Sequence, residues 1–143
     1  MINLLKELEK KNYIKKIKKS SINVENSLDI SKRDLKLSKT ILKEDYDWAF
    51  NVAYNSILQC ICALMFSQGY RPSSGISHVA TIEFAKIYLN NSDTIYLNNM
   101  RKSRHKATYD IVGIITESQA KNAICHSEEI IKKITKIIEK NTE

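Results

Sequence analysis

Between Glu44 and Gly69 the chain reads EDYDWAFNVAYNSILQCICALMFSQG, and this stretch decides the fold. Phe50, Tyr54, Ile57, Ile61 and Leu64 recur at alternating steps of four and three, the spacing that lines one face of an α-helix. Trp48, Ala53, Leu58 and Met65 widen that face. A helix apolar over more than one stripe has to be covered by neighbours. The segment is therefore expected to be the central helix, over about residues 44–68. Asp45 and Asp47 lie at its start, where the helix dipole favours carboxylates. Gly69 can take the left-handed conformation that closes a helix C-terminus. The following Tyr70-Arg71-Pro72-Ser73-Ser74-Gly75 reads as a loop, because Pro72 cannot continue a helix and holds Arg71 extended.

Similar stripes flank this helix. Upstream, Val24, Leu28, Ser31, Leu35, Ser38 and Leu42 share one face, with Ser20 or Ser21 placed to cap it. Ser31 and Ser38 are small, which permits close approach by a neighbour. Downstream, a fourth helix is expected from Ser77 to about Leu89, carrying Val79, Ile82, Phe84 and Ile87. Asn90-Asn91-Ser92-Asp93 breaks it, and a fifth begins near Thr94 and runs toward Gly113. Thr116-Glu117-Ser118-Gln119 has the form of a capping box ahead of a last helix striped by Ala120, Ile124, Ser127, Ile131, Ile134 and Ile138. Residues 2–19 hold seven lysines and two glutamates. They read as a basic amphipathic leader in which Leu4, Leu5, Leu8, Ile14 and Ile17 face inward.

Composition agrees with one all-α domain spanning 1–143, a bundle of four main helices plus shorter ones. Only three glycines and one proline are available for the turns a sheet would consume. Cys60, Cys62 and Cys125 are odd in number. Cys60 and Cys62, two apart on a helix, point to different sides and make a poor metal clamp. They read as structural thiols of a cytoplasmic protein. The apolar run Ile57–Phe66 is short for a bilayer span, and no membrane association is expected. No metal-ligand spacing and no phosphate-binding glycine loop occurs, and no cofactor is implied.

The net charge of +7 draws polyanions, and it is not evenly spread. Arg101, Lys102, Arg104 and Lys106 fall within six residues, and Asp110 is the first carboxylate after them. On a helix Arg101 and Arg104 share a face, while His105 lies four from both Arg101 and Tyr109 on an adjoining strip. Guanidinium groups clamp phosphate at two points. An imidazole can move the proton that cleavage of an RNA phosphodiester requires. The alternative is a cationic helix surface paired with Asp45, Asp47 or Glu83. His78 reads as a structural histidine near a helix start, and His126 as a surface residue.

The chain resembles the HEPN superfamily of small all-α domains, many of them toxins or partners of minimal nucleotidyltransferases. The resemblance rests on Asp45-Tyr46-Asp47-Trp48-Ala49-Phe50 with Ala53-Tyr54-Asn55, and on Ala63-Leu64-Met65 with Gly69-Tyr70-Arg71-Pro72. It also rests on His78 followed by Phe84, and on Arg101, Arg104-His105 and Tyr109-Asp110. It implies a homodimeric RNA- or nucleotide-binding protein of a toxin–antitoxin or defence pair. If that protein is an enzyme, it is a metal-independent endoribonuclease. Arg104, His105 and Tyr109 would then be catalytic, with Arg101, Lys102 and Lys106 holding phosphate. Ribonucleases of the superfamily carry arginine, a polar residue, three or more others, then histidine. Counting from Arg104 puts Tyr109 at the histidine position, and counting from Arg101 reaches His105 one residue early. Either His105 acts from a shifted position or the histidine is absent. Tyr109 also matches the tyrosine to which a nucleotidyltransferase antitoxin attaches AMP in some family toxins. The alternative implied is a non-catalytic helical module that binds such a nucleotidyltransferase or another protein.

Overall fold

The structure is a computed structural model and describes residues 2–74 and 77–142. Gly75, expected in the loop after the central helix, lies outside the described residues. The elements run α1 (Ile2–Lys10), β1 (Ile14–Lys16), α2 (Ser21–Ile41), α3 (Tyr46–Ser67), β2 (Tyr70–Pro72), α4 (Ser77–Ala85), α5 (Asn91–His105), a π-helical turn (Lys106–Asp110) and α6 (Glu117–Thr142). This is an all-α bundle, with one short antiparallel strand pair added.

Side chains at the helix ends account for several of the boundaries. Ser20 accepts from the Asn23 N–H at 3.3 Å, and Asp45 from the Trp48 N–H at 2.9 Å. Asn90 accepts from the Asp93 N–H at 2.8 Å, which starts α5 earlier than the apolar pattern suggests. The capping box at α6 forms in both directions: the Gln119 N–H reaches the Thr116 hydroxyl at 3.1 Å, and the Thr116 N–H reaches the Gln119 amide oxygen at 2.9 Å. Gly69 ends α3 with φ of +82°.

α3 is the central helix, in contact with α2, α4, α5, α6, β2 and the π turn. By length and composition it could cross a membrane, yet 67% of its most apolar window is buried inside the bundle. Small residues let the neighbours come close. Ser31 and Ser56 are fully buried, with the Ser31 hydroxyl donating to the Ser56 carbonyl at 2.6 Å. On the other side, the buried Ser127 of α6 donates to the Ala53 carbonyl at 3.2 Å. Burial pushes the Cys60 and Cys62 thiols up to about 12 and about 11, so both stay protonated.

Other local expectations change too, and α4 ends at Ala85 rather than near Leu89. Tyr70–Pro72 is a strand rather than a loop, paired with Ile14–Lys16. The extended backbone that Pro72 imposes is also strand backbone, and Ile14 is buried there. The leader is thus a short helix and a strand, and Leu4 is exposed. Trp48, read as core, is 59% exposed, because it sits in the first turn of α3 beside an open cavity.

Candidate functional site

α3, α4 and the α5–π-turn segment converge on a cavity of about 270 Å³, with α2 forming the far wall. That volume is at the small end of ligand pockets, which run from roughly 300 Å³ upward. Arg104 and Thr108 enter it from the basic segment, Asn51 and Tyr54 from α3, His78 from α4 and Asp34 from α2, with Trp48 at its rim.

The basic segment leaves α-helical geometry just after His105. Residues 106–110 form a π turn, closed by the Ile111 N–H on the Lys106 carbonyl at 2.9 Å. Each hydrogen-bonded ring of a π turn encloses one more residue than an α turn, a feature frequent at functional sites. The turn is tied to α3 by the Asn51 amide donating to the Thr108 hydroxyl at 3.1 Å. Beyond it, the Asp47 carboxylate accepts from the Gly113 N–H at 2.6 Å and the Ile115 N–H at 3.0 Å. Asp47 therefore anchors the loop after the motif and does not pair with the arginines. Asp45 caps α3, and Glu83 pairs with Lys86 at 2.7 Å. Among the described residues no carboxylate forms an ion pair with Arg101 or Arg104.

The two sides of this segment differ. Arg104 faces the cavity, and Arg101, one turn earlier, is half-buried with its Nε buried and without a hydrogen-bond partner. The other side carries His105 and Tyr109, whose rings lie 5.0 Å apart, and Tyr109 is 66% exposed. The Arg104 guanidinium carbon lies 6.0 Å from the Tyr109 ring centre. Lys102 and Lys106 are exposed. The neighbouring strip inferred from helical spacing is thus present, with Arg104 toward the cavity and the His105–Tyr109 pair toward solvent.

The cavity's own imidazole is His78. Its Nδ1 lies 3.2 Å from the Tyr54 hydroxyl. Burial pushes the Tyr54 phenol up to about 12, against the opposing pull of Arg101 and Arg104. Burial first, and then Arg104 and Arg101, holds His78 below the ordinary histidine value. The pair is therefore a neutral phenol against a neutral imidazole at neutral pH. Asp34 is buried on the opposite wall, paired with Arg33 at 2.9 Å and accepting from the Asn55 amide at 2.6 Å. The Asn51 side-chain oxygen is buried without a partner. Linear spacing misses His78 and Trp48, because α4 and the start of α3 reach the motif only through packing. The one sequence signal was that both residues belong to the quoted family pattern. His126 stacks on Tyr96 at 4.0 Å, and neither residue lines the cavity. Among the described residues no group of three His, Cys, Asp or Glu is placed to hold a metal ion.

A HEPN domain family model matches residues 24–138, which takes in α2 through most of α6. The chain belongs to the HEPN domain family. Membership ties it in general terms to nucleotide and RNA functions, in a family whose domains often form dimers. Comparison with curated proteins returned no match.

Proposed function

We propose that this protein binds RNA, with the phosphate backbone held at Arg101 and Arg104 and a base stacked on Trp48. The observation that carries the reading is two neighbouring guanidinium groups without a carboxylate partner among the described residues, beside a cavity rimmed by an exposed indole. Unpaired arginines suit two-point phosphate contact. An open aromatic face accepts any base. Lys102 and Lys106 add to the local potential. On this reading the protein is a cytoplasmic homodimer and the toxin of a toxin–antitoxin or defence pair. It cleaves RNA without a metal, Arg104 and Arg101 stabilising the charged phosphorane and His105 delivering a proton to the leaving oxygen. Tyr109 orients His105.

Binding of a fluorescent single-stranded RNA, titrated over a range of salt, tests the core of this reading. Wild type is expected to bind with a steep salt dependence, about 0.7 in log–log slope per phosphate contact. Arg101→Ala with Arg104→Ala lowers affinity and flattens that slope by one to two contacts. Unchanged affinity and slope in the double variant would sink it. Mononucleotide as competitor separates an RNA site from a nucleotide site.

A second reading, a protein-binding module, is favoured by one observation. Tyr109, Ile111 and Val112 are all exposed, Val112 at 92%, which gives the tip after the π turn an apolar surface. A nucleotidyltransferase antitoxin could dock there and attach AMP to the open Tyr109 phenol. Mass spectrometry of protein co-expressed with its genomic neighbour tests this, and an unmodified Tyr109 counts against it.

A further inference from the structure

We infer that His78 is the general base for RNA cleavage at this site, taking the proton from the ribose 2′-hydroxyl of the nucleotide held in the cavity. The inference rests on the RNA-binding reading. Of the three histidines, His105 lies on the solvent side of its helix and His126 is stacked on Tyr96 elsewhere. His78 shares the cavity with Arg104. The base must reach the 2′-hydroxyl of the nucleotide held in the cavity, whereas the leaving O5′ belongs to the next nucleotide, which runs out toward solvent on the His105 side. Counted from Arg104, the position where superfamily ribonucleases carry their histidine holds Tyr109, turned to solvent. The cavity supplies an imidazole from another helix.

The groups around His78 fit the task. From α3, Tyr54 contacts Nδ1 at 3.2 Å and fixes the ring. With Nδ1–H donating to the phenol oxygen, Nε2 is left unprotonated and serves as the base while Tyr54 stays in place. Burial, and then Arg104 and Arg101 from α5, disfavour the imidazolium in the free protein. From α2, Asp34 is engaged by Arg33 and Asn55 and does not compete for the ring.

The step balances without a co-reactant. His78 takes the 2′-hydroxyl proton and O2′ attacks phosphorus. The P–O5′ bond breaks, and His105 supplies a proton to the leaving O5′. The products are a 2′,3′-cyclic phosphate and a 5′-hydroxyl, and the two imidazoles then exchange protons with water. A bound phosphate offsets the field of the arginines, so His78 becomes easier to protonate in the complex than in the free protein. The acid limb of kcat/KM should lie below pH 6.5, with the limb of kcat above it on the pH scale.

The test is cleavage of a single-stranded RNA in EDTA by AMP-free wild type, His78→Gln and His126→Ala. RNA binding and circular dichroism are recorded on each. The expected result is cleavage to cyclic phosphate ends by wild type and His126→Ala. His78→Gln should lose about 10²- to 10⁴-fold in rate with RNA affinity kept. A His78→Gln protein that binds and cleaves like wild type overturns the inference. So does wild type that binds RNA and leaves it intact, an outcome in which the RNA-binding reading survives. Failure of wild type to bind RNA removes both. Should His78→Gln not fold, the wild-type pH profile decides: an acid limb of kcat/KM at or above pH 6.5 overturns the assignment.

Discussion

The Tyr54 hydroxyl and His78 Nδ1 meet at 3.2 Å, joining the central helix to α4 across the wall of the cavity. Both groups are neutral at neutral pH, for one cause above the others: burial disfavours phenolate and imidazolium alike. The arginines beside them push in the same direction on His78 and in the opposite direction on Tyr54.

That contact has a consequence for stability. His78 binds its proton less readily in the folded chain than unfolded, so the unfolded state takes up more protons as pH falls. Its contribution is intact above pH 6.5, the ordinary histidine value. It is lost as pH drops through the lower folded value. Thermal melts between pH 7.5 and 5 should show wild type losing more stability toward acid than His78→Gln. Parallel curves would refute this.

Trp48 is exposed at the cavity rim and contributes little to the core. Trp48→Ala should leave the melting temperature nearly unchanged and weaken single-stranded RNA binding by about 1–3 kcal/mol, the range for one stacked base. Isothermal titration beside a thermal melt separates the two effects. A large fall in stability with no change in affinity would return Trp48 to a packing role.

Asp47 holds the loop after the π turn through two backbone N–H groups. Bonds to a charged acceptor are worth about 1.5–3 kcal/mol each. Asp47→Ala should destabilise the fold by a few kcal/mol in urea. Hydrogen exchange should quicken at Gly113 and Ile115, with little change in α6. Protection that persists at both amides would be the contrary result.

Ser31 is fully buried where α2 meets α3. Ser31→Leu forces extra volume into that contact and removes the hydroxyl that meets the Ser56 carbonyl. A loss of about 1–3 kcal/mol is expected from overpacking, read as a lower urea midpoint. A variant as stable as wild type would mean that the helices separate freely.

If the apolar tip lies in a dimer interface, Val112→Asp should weaken self-association by about tenfold or more while the monomer stays folded, since Val112 touches little in the chain itself. Analytical ultracentrifugation across concentration reads the shift. An unchanged dissociation constant would place the interface elsewhere.

Much of this architecture was legible along the chain. The stripes of α2, α3 and α6 lie at helical spacing, and Gly69, Asp45 and the Thr116–Gln119 pair mark ends that the structure uses. Such signals survive in sequence because they involve residues at most four apart. The β1–β2 pair was not visible, because three-residue strands carry no period, and Ile14 finds Pro72 only after the chain has turned through α2 and α3.

The site divides along the same line. Sequence by itself determined that Arg101 and Arg104 share one helix face and that His105 and Tyr109 are neighbours on the next, since one turn of backbone fixes both relations. Tertiary structure alone decided which face looks into a cavity, that Asp47 holds a loop rather than an arginine, and that His78 and Trp48 join the site. Those are contacts between residues some 20 to 70 positions apart. They depend on how three helices pack, and that packing follows from the burial of apolar faces and small residues, not from any local spacing.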